Sequence, residues 1–222
     1  MPFSHPHPAE PPQKVTLEGR FVRIEPLDPE RHGRHLWQEM DGHDALWDYM
    51  AYGPFDDQAA FQAWLNQRDK LTDPLAFAII EISSGRALGV ATLMEIRPEH
   101  GVIEIGHILF SPAMQRTACS TEAVFLLAQY AFGTLGNRRF EWKCNAQNAP
   151  SWRAALRFGF THEGVFRNHM ITKGRNRDTA WFSITDSEWP VRRQAFESWL
   201  SPDNFNEAGQ QKTSLSALNN AG

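Results

Sequence analysis

Two segments decide the fold: SPAMQRTACSTEA at residues 111–123 and NAQNAPSWRAALRFGF at residues 145–160. The first reads as the end of a strand, a short loop and the start of a helix. Unsatisfied N–H groups and the positive end of the helix dipole can hold an anion there, such as a pyrophosphate. In the second segment Asn148 can cap a helix, Pro150 fits its first turn, and Gly159 suits the left-handed position after its end. Between the two lies one helix and one returning strand. A parallel crossover of this kind should be right-handed and should put the loop at the carboxyl edge of the sheet, where anions bind.

The pattern extends in both directions. Residues 20–27 read as an opening strand. Asp28-Pro29-Glu30 then supply a cap, a first-turn proline and an acidic residue for a helix to about Met40. Asp56 or Asp57 starts another helix, whose Phe61, Trp64 and Leu65 share one face. Residues 76–82 and 87–96 are β-rich runs joined by a hairpin at 83–86, and Val102 to Phe110 follows a turn at 97–101. In the helix after the loop, Ala123, Leu126, Leu127, Tyr130 and Ala131 form a stripe that Gly133 or Gly136 can stop. Arg139, Glu141 and Lys143 alternate with Phe140, Trp142 and Cys144, a strand with one polar and one apolar face. Two further strands flank the GRNRD turn at 174–178, with Trp181, Phe182 and Ile184 in the last.

The 222 residues suffice for one substantial core. Three parts are expected: a Pro/His-rich flexible arm at 1–14, a single domain at 15–200, and a polar flexible tail at 201–222. The arm carries five prolines in fourteen residues, and its His5 and His7 are poor metal candidates. With 22 basic against 26 acidic side chains, no footprint for nucleic acid or bilayer is present. The only cysteines, Cys119 and Cys144, form neither a disulfide framework nor a zinc-ligand spacing. No run has the length of a transmembrane helix, and the N-terminal prolines do not suit a signal peptide. A cytoplasmic protein without a metal is the expectation.

The segments around 115–123 and 148–164, together with Gly174-Arg175 and Arg177-Asp178, resemble the GNAT superfamily of acyl-CoA N-acyltransferases. Within it they resemble the Rim-type N-terminal acetyltransferases of ribosomal proteins, over most of residues 15–190. The family's pyrophosphate loop is read here as Gln115-Arg116-Thr117-Ala118-Cys119-Ser120, with both glycine positions changed. Thr121-Glu122-Ala123, Asn148, Ser151, Gly159-Phe160 and Glu163-Gly164 fit. The resemblance implies an α+β fold: a mixed, mostly antiparallel sheet flanked by helices, with a parallel strand-helix-strand unit for CoA. It also implies acetyl-CoA as acyl donor, met by Leu109, Phe110, Gln115, Arg116, Thr117, Ala118, Cys119, Ser120, Thr121, Asn148 and Ser151. The tyrosine that many members carry four residues before the Gly-Phe pair is Ala155 here, which leaves Ser151 as the best hydroxyl, by resemblance, to protonate the departing thiolate. Hydrogen bonding at the helix start is the alternative role for Ser151.

Glycine is needed in such a loop only at positive φ or where a Cβ would meet the phosphates; at helical φ, Ala118 and Ser120 can still present N–H groups. Glu104 is the candidate base, or else a surface strand residue. His107, three positions on, would point to the opposite face unless a bulge intervenes. Cys119 at a helix start admits an acyl-cysteine route, although direct transfer is the better reading; Cys144 reads as core. For an acceptor pocket the cluster Trp47, Tyr49, Tyr52, Pro54 and Phe55 is the candidate, with core packing as the alternative. Arg175 and Arg177 could meet an acceptor carboxylate, against pairing with Asp178 or simple solvation. The expected activity is direct transfer of the acetyl group to a primary amine, on a protein N-terminus or a small molecule. The alternative is a non-catalytic acyl-CoA-binding or protein-interaction module. A homodimer is left open.

Overall fold

A computed structural model describes residues 8–221, whose apolar runs pair into a single eight-stranded sheet. The strands are β1 (Leu17–Glu18), β2 (Val22–Pro26), β3 (Leu75–Glu81), β4 (Ala87–Arg97), β5 (Val102–Phe110), β6 (Arg139–Asn145), β7 (Thr161–Thr172) and β8 (Arg175–Thr185). The main helices are α1 (Pro29–Met40), α2 (Gln58–Arg68), α3 (Ala118–Gln129), α4 (Ala149–Arg157), α5 (Trp189–Leu200) and α6 (Leu215–Asn219). Strand order is β1-β2-β3-β4-β5-β6-β8-β7. Neighbours are antiparallel except β5 and β6, which run parallel and are joined by α3. This is the mixed, mostly antiparallel α+β architecture that the sequence led us to expect.

Period-two patterning splits the sheet into two buried faces. Phe77, Ile79, Leu93, Ile103, Ile105, Phe140, Trp142 and Phe182 pack under α3, α4 and α5. Ala76, Ala78, Ile80, Val90 and Leu109 pack under α1 and α2. Each fully buried phenylalanine contributes about 1.5–3 kcal/mol. Local chemistry sets the helix bounds as read from sequence. Asp28 accepts the N–H groups of Glu30 and Arg31, Asp57 that of Ala60, and Asn148 that of Ser151. Gly159 has φ +87°, the left-handed geometry that ends α4.

Glu122, on α3, holds the chain before β2 in place. Its buried carboxylate accepts the N–H groups of Arg20, Phe21 and Val22 at 2.6–2.8 Å. Gly19 leaves room for it, because a Cβ there would run into the carboxylate.

Two expectations need correction. The C-terminal segment, expected to be a mobile tail, folds back onto α4 and α5: Leu215 is fully buried and the Asn219 amide donates to the Arg157 carbonyl. Asn204 likewise donates to the Trp199 and Thr213 carbonyls. These polar side chains satisfy backbone groups, so a composition that reads as disordered is ordered by specific bonds. Residues 1–7, with His5 and His7, lie outside the described residues. The rest of the expected arm docks: Ala9 N–H donates to Pro98, Glu10 N–H to Leu135, and Gln13 N–H to the Tyr130 hydroxyl. Among the described residues no helix is long and apolar enough to cross a membrane.

Candidate active site

The site begins where β5 and β6 part. They are paired at Val102–Arg139, Ile103–Phe140 and Glu104–Glu141, and no further. Beyond Glu104 the two strands diverge towards their carboxyl ends, opening a gap in the middle of the sheet that two different surroundings flank.

On the α3 side, the helix begins at Ala118 after Thr117, whose hydroxyl donates to the Met114 carbonyl and does not cap the helix. The first-turn N–H groups are therefore left for an external acceptor, with the helix dipole behind them. Ala118 and Ser120 have helical geometry, so neither needs to be glycine; the positive φ of the loop falls on Arg116, at +63°. Arg116 and Gln115 are exposed. Gln115 donates to the Phe110 carbonyl, Ser120 to that of Thr117, and Thr121 accepts from Arg157. These residues fit a pyrophosphate through backbone donors rather than hydroxyls. Ser151, in the first turn of α4, accepts from the Trp142 indole at 3.0 Å and meets the Cys144 thiol. Burial pushes both thiols up, Cys144 and Cys119, the latter with Glu81 adding to the rise. Neither is the activated thiolate that an acyl-cysteine route requires.

On the α1/α2 side lies the residue set that the sequence only partly foretold. A bulge in β5 opposite Val90 and Thr92, with His107 at φ +47°, turns Glu104 and His107 to the same face. Glu104 is buried, and its Oε2 lies 2.8 Å from Lys143 Nζ. Burial pushes its carboxyl up to about 7; Lys143 pulls the other way, while Glu141 and Glu95 add to the rise. Lys143 also lies 3.3 Å from Glu141 and 4.1 Å from the centre of the Trp181 ring. For Glu141 burial acts upward, but the hydrogen bond from Arg139 and the charges of Lys143 and Arg97 carry it below the usual range. The polar face of β6 is thus a buried ion network, not a solvated strand face.

His107 pairs with the Tyr52 hydroxyl at 2.7 Å and stacks on its ring. Burial, then the charges of Arg68 and Arg177, push its imidazole down to about 4. It is neutral at physiological pH and holds Tyr52 in place. Of the aromatic candidates, Tyr52 therefore joins the site. Tyr49 stands at its rim, donating to the Gln147 carbonyl after β6. Trp47 is buried at the centre of the α1/α2 layer, edge-on to Phe55, Phe61 and Trp64, while Phe55 is half-buried against it. Lys173, in the turn between β7 and β8, donates to the carbonyls of Trp47 and Gly53 and ties this connection down from the far side. Lys143, Arg68 and Lys173 were not singled out in the sequence.

Residues 22–161 match the family model described as an acetyltransferase (GNAT) domain. The chain belongs to the GNAT acetyltransferase family. A GCN5-related N-acetyltransferase from Brucella melitensis is 47% identical, covering 96% of this chain and 98% of its own with a TM-score of 0.94. A probable GNAT acetyltransferase from Chromobacterium violaceum is 42% identical over 85% of this chain and 94% of its own, at TM-score 0.80. The uncharacterized N-acetyltransferase p20 of Bacillus licheniformis is 29% identical over 64% of this chain and 80% of its own length. A ribosomal-protein-serine acetyltransferase from Vibrio cholerae, 17% identical at TM-score 0.66, shares the fold. This GNAT protein is thus an acetyl-CoA-dependent N-acetyltransferase. Among the described residues no group of three or more His, Cys, Asp or Glu could hold a metal ion.

Proposed function

We propose that this enzyme acetylates a primary amine on the α1/α2 face of the sheet, with Glu104 as the base. The observation that carries the reading is the gap between β5 and β6, with uncapped N–H donors on one side and a buried carboxyl poised near neutrality on the other. Residues 115–121 would hold the pyrophosphate. Leu109, Phe110, Asn148 and Ser151 would border the arm that enters the gap. Acetyl-CoA supplies an activated thioester carbonyl.

An amine acceptor arrives mostly as its ammonium, since an α-amino group titrates near ~8 and a lysine side chain near ~10.4. Glu104 takes that proton, directly or through water. The freed nitrogen forms its bond to the acetyl carbon as the carbon–sulfur bond breaks, the sulfur leaves with the electron pair as the CoA thiolate, and the second proton that the nitrogen sheds to become a neutral amide passes to that thiolate or to water. A thiolate whose conjugate acid has a pKa near ~8.5 departs without obligatory proton donation. Ser151 is therefore chiefly a positioning residue, which fixes the first turn of α4 against Trp142.

The test is acetyl transfer to an amine panel by the wild type and Glu104→Gln, alongside acetyl-CoA binding by calorimetry. The reading requires the variant to bind acetyl-CoA as the wild type does and to lose transfer below neutral pH. Equal transfer by both proteins at pH 6.5 refutes it.

A further inference from the structure

Arg177 lies early in β8, beside Asp178. In the fold the two are not partners: the Asp178 carboxylate accepts the Asn168 N–H at 2.7 Å and the Asn176 amide at 2.9 Å. Arg177 turns instead into the α1/α2 side of the site, half-buried, and its Nε is enclosed with no hydrogen-bond partner among the described residues. Burial lowers the pKa of this guanidinium, while Cys144 and Glu104 act in the opposite direction. Glu104 has its ion pair with Lys143.

Arg68, the last residue of α2, repeats the situation. Its Nε is likewise enclosed without a partner, and its guanidinium lies over the Tyr52 ring, 4.7 Å from the centroid. Both cations act on His107, whose imidazole is too depressed to add a charge and has no negative charge to offer them. Two guanidiniums therefore face one neutral histidine beside the candidate base. Among the described residues neither half-buried guanidinium makes an ion pair, and arginine's planar fork matches an oxyanion with two parallel donors.

We infer that the acceptor is a small amine carrying its own carboxylate, held by Arg177 and Arg68 while its nitrogen meets Glu104. This rests on the acceptor reading of the α1/α2 face. The arrangement favours a free amino acid over a polyamine, whose extra ammonium groups the arginines would repel, and over a peptide N-terminus, whose carboxyl is an amide.

The experiment uses the full chain and triplets of matched compounds: L-phenylalanine, L-methionine and L-glutamate, their α-amides, and the corresponding decarboxylated amines. An amino-terminal hexapeptide with an amidated C-terminus is added. Calorimetry measures their binding to the protein saturated with CoA, and thiol release from acetyl-CoA gives kcat/KM. The amide is the stringent control, because its amine is less basic and should react faster if the carboxylate is irrelevant. At least one free amino acid is expected to bind and react at least tenfold better than its amide, its amine and the hexapeptide. Arg177→Gln and Arg68→Gln should each reduce that ratio below threefold, with KM rising more than kcat falls, and Arg177→Lys should keep part of it. Circular dichroism checks the fold, and a ratio that persists in both glutamine variants overturns the inference. Equal use of amides or amines also overturns it while leaving acetyl transfer on this face intact. Failure of every amine to be acetylated by a protein that binds acetyl-CoA overturns both.

Discussion

Lys143 Nζ lies 2.8 Å from Glu104 Oε2 at the point where β5 and β6 part. On the proposed role of Glu104, the pair sets the pH range in which this buried carboxyl would serve as the base. With that carboxyl pushed up to about 7, chiefly by burial, the active ionised form accumulates only as pH rises through 7. kcat/KM should therefore climb across neutrality, and Glu104→Gln should lower it roughly a hundredfold or more at pH 7. Removing the cation in Lys143→Met raises the carboxyl further, so the acid limb should move upward by on the order of one unit. Glu104's folded pKa lies above the ordinary value of 4.5, so its contribution to stability is complete below that value and lost as pH rises through about 7. Glu104→Gln should flatten that part of the stability profile, measured by urea unfolding across pH.

Ala118→Pro tests the backbone donors. Ala118 is the first residue of α3, where proline is tolerated, and Thr117 before it has φ −104° and ψ 173°, the extended geometry that a following proline requires. The substitution removes one N–H without breaking the helix. Acetyl-CoA affinity should fall roughly tenfold by calorimetry, with Tm little changed. Unaltered affinity would remove this N–H from the binding site.

Ser151→Ala removes the acceptor of the Trp142 indole, which is buried. A loss of about 1–2 kcal/mol of stability is expected, with kcat reduced only a few-fold and far less than in Glu104→Gln. A serine variant as impaired in kcat as the glutamate variant, with affinity intact, would make Ser151 an acid.

Truncation after Asp203 removes the buried Leu215 and the Asn204 and Asn219 bonds to α4 and α5. Tm should fall by roughly 5–15 °C in a thermal melt. An unchanged melting temperature would mean that the segment rests on the domain without stabilising it.

How much of this was legible in the sequence follows from the range of the interactions. Caps such as Asp28 and Asn148 and the stop at Gly159 act within a few residues, so the element order could be read from them. The uncapped α3 start was legible because Ala118 and Ser120 needed only helical φ. The partners of Lys143 and Arg177 were not legible, since their charges meet Glu104 and His107 only across a parallel register and a bulge. Trp47 and Tyr52 differ for the same reason. Both are aromatic and close in sequence, yet one fills the α1/α2 layer and the other reaches His107. The C-terminal asparagines read as disorder because the carbonyls they satisfy are set by tertiary contact.

The most direct test is thiol release from acetyl-CoA with and without an amine panel, followed by mass spectrometry of products and protein. Release that depends on the amine is expected, matched one-to-one by an N-acetylated product, with no acetyl group left on Cys119 or Cys144 and with activity kept in Cys119→Ser and Cys144→Ala. Acetyl-CoA binding without amine-dependent release, or a turnover-competent acetyl adduct on either thiol, would contradict direct transfer through the β5–β6 gap.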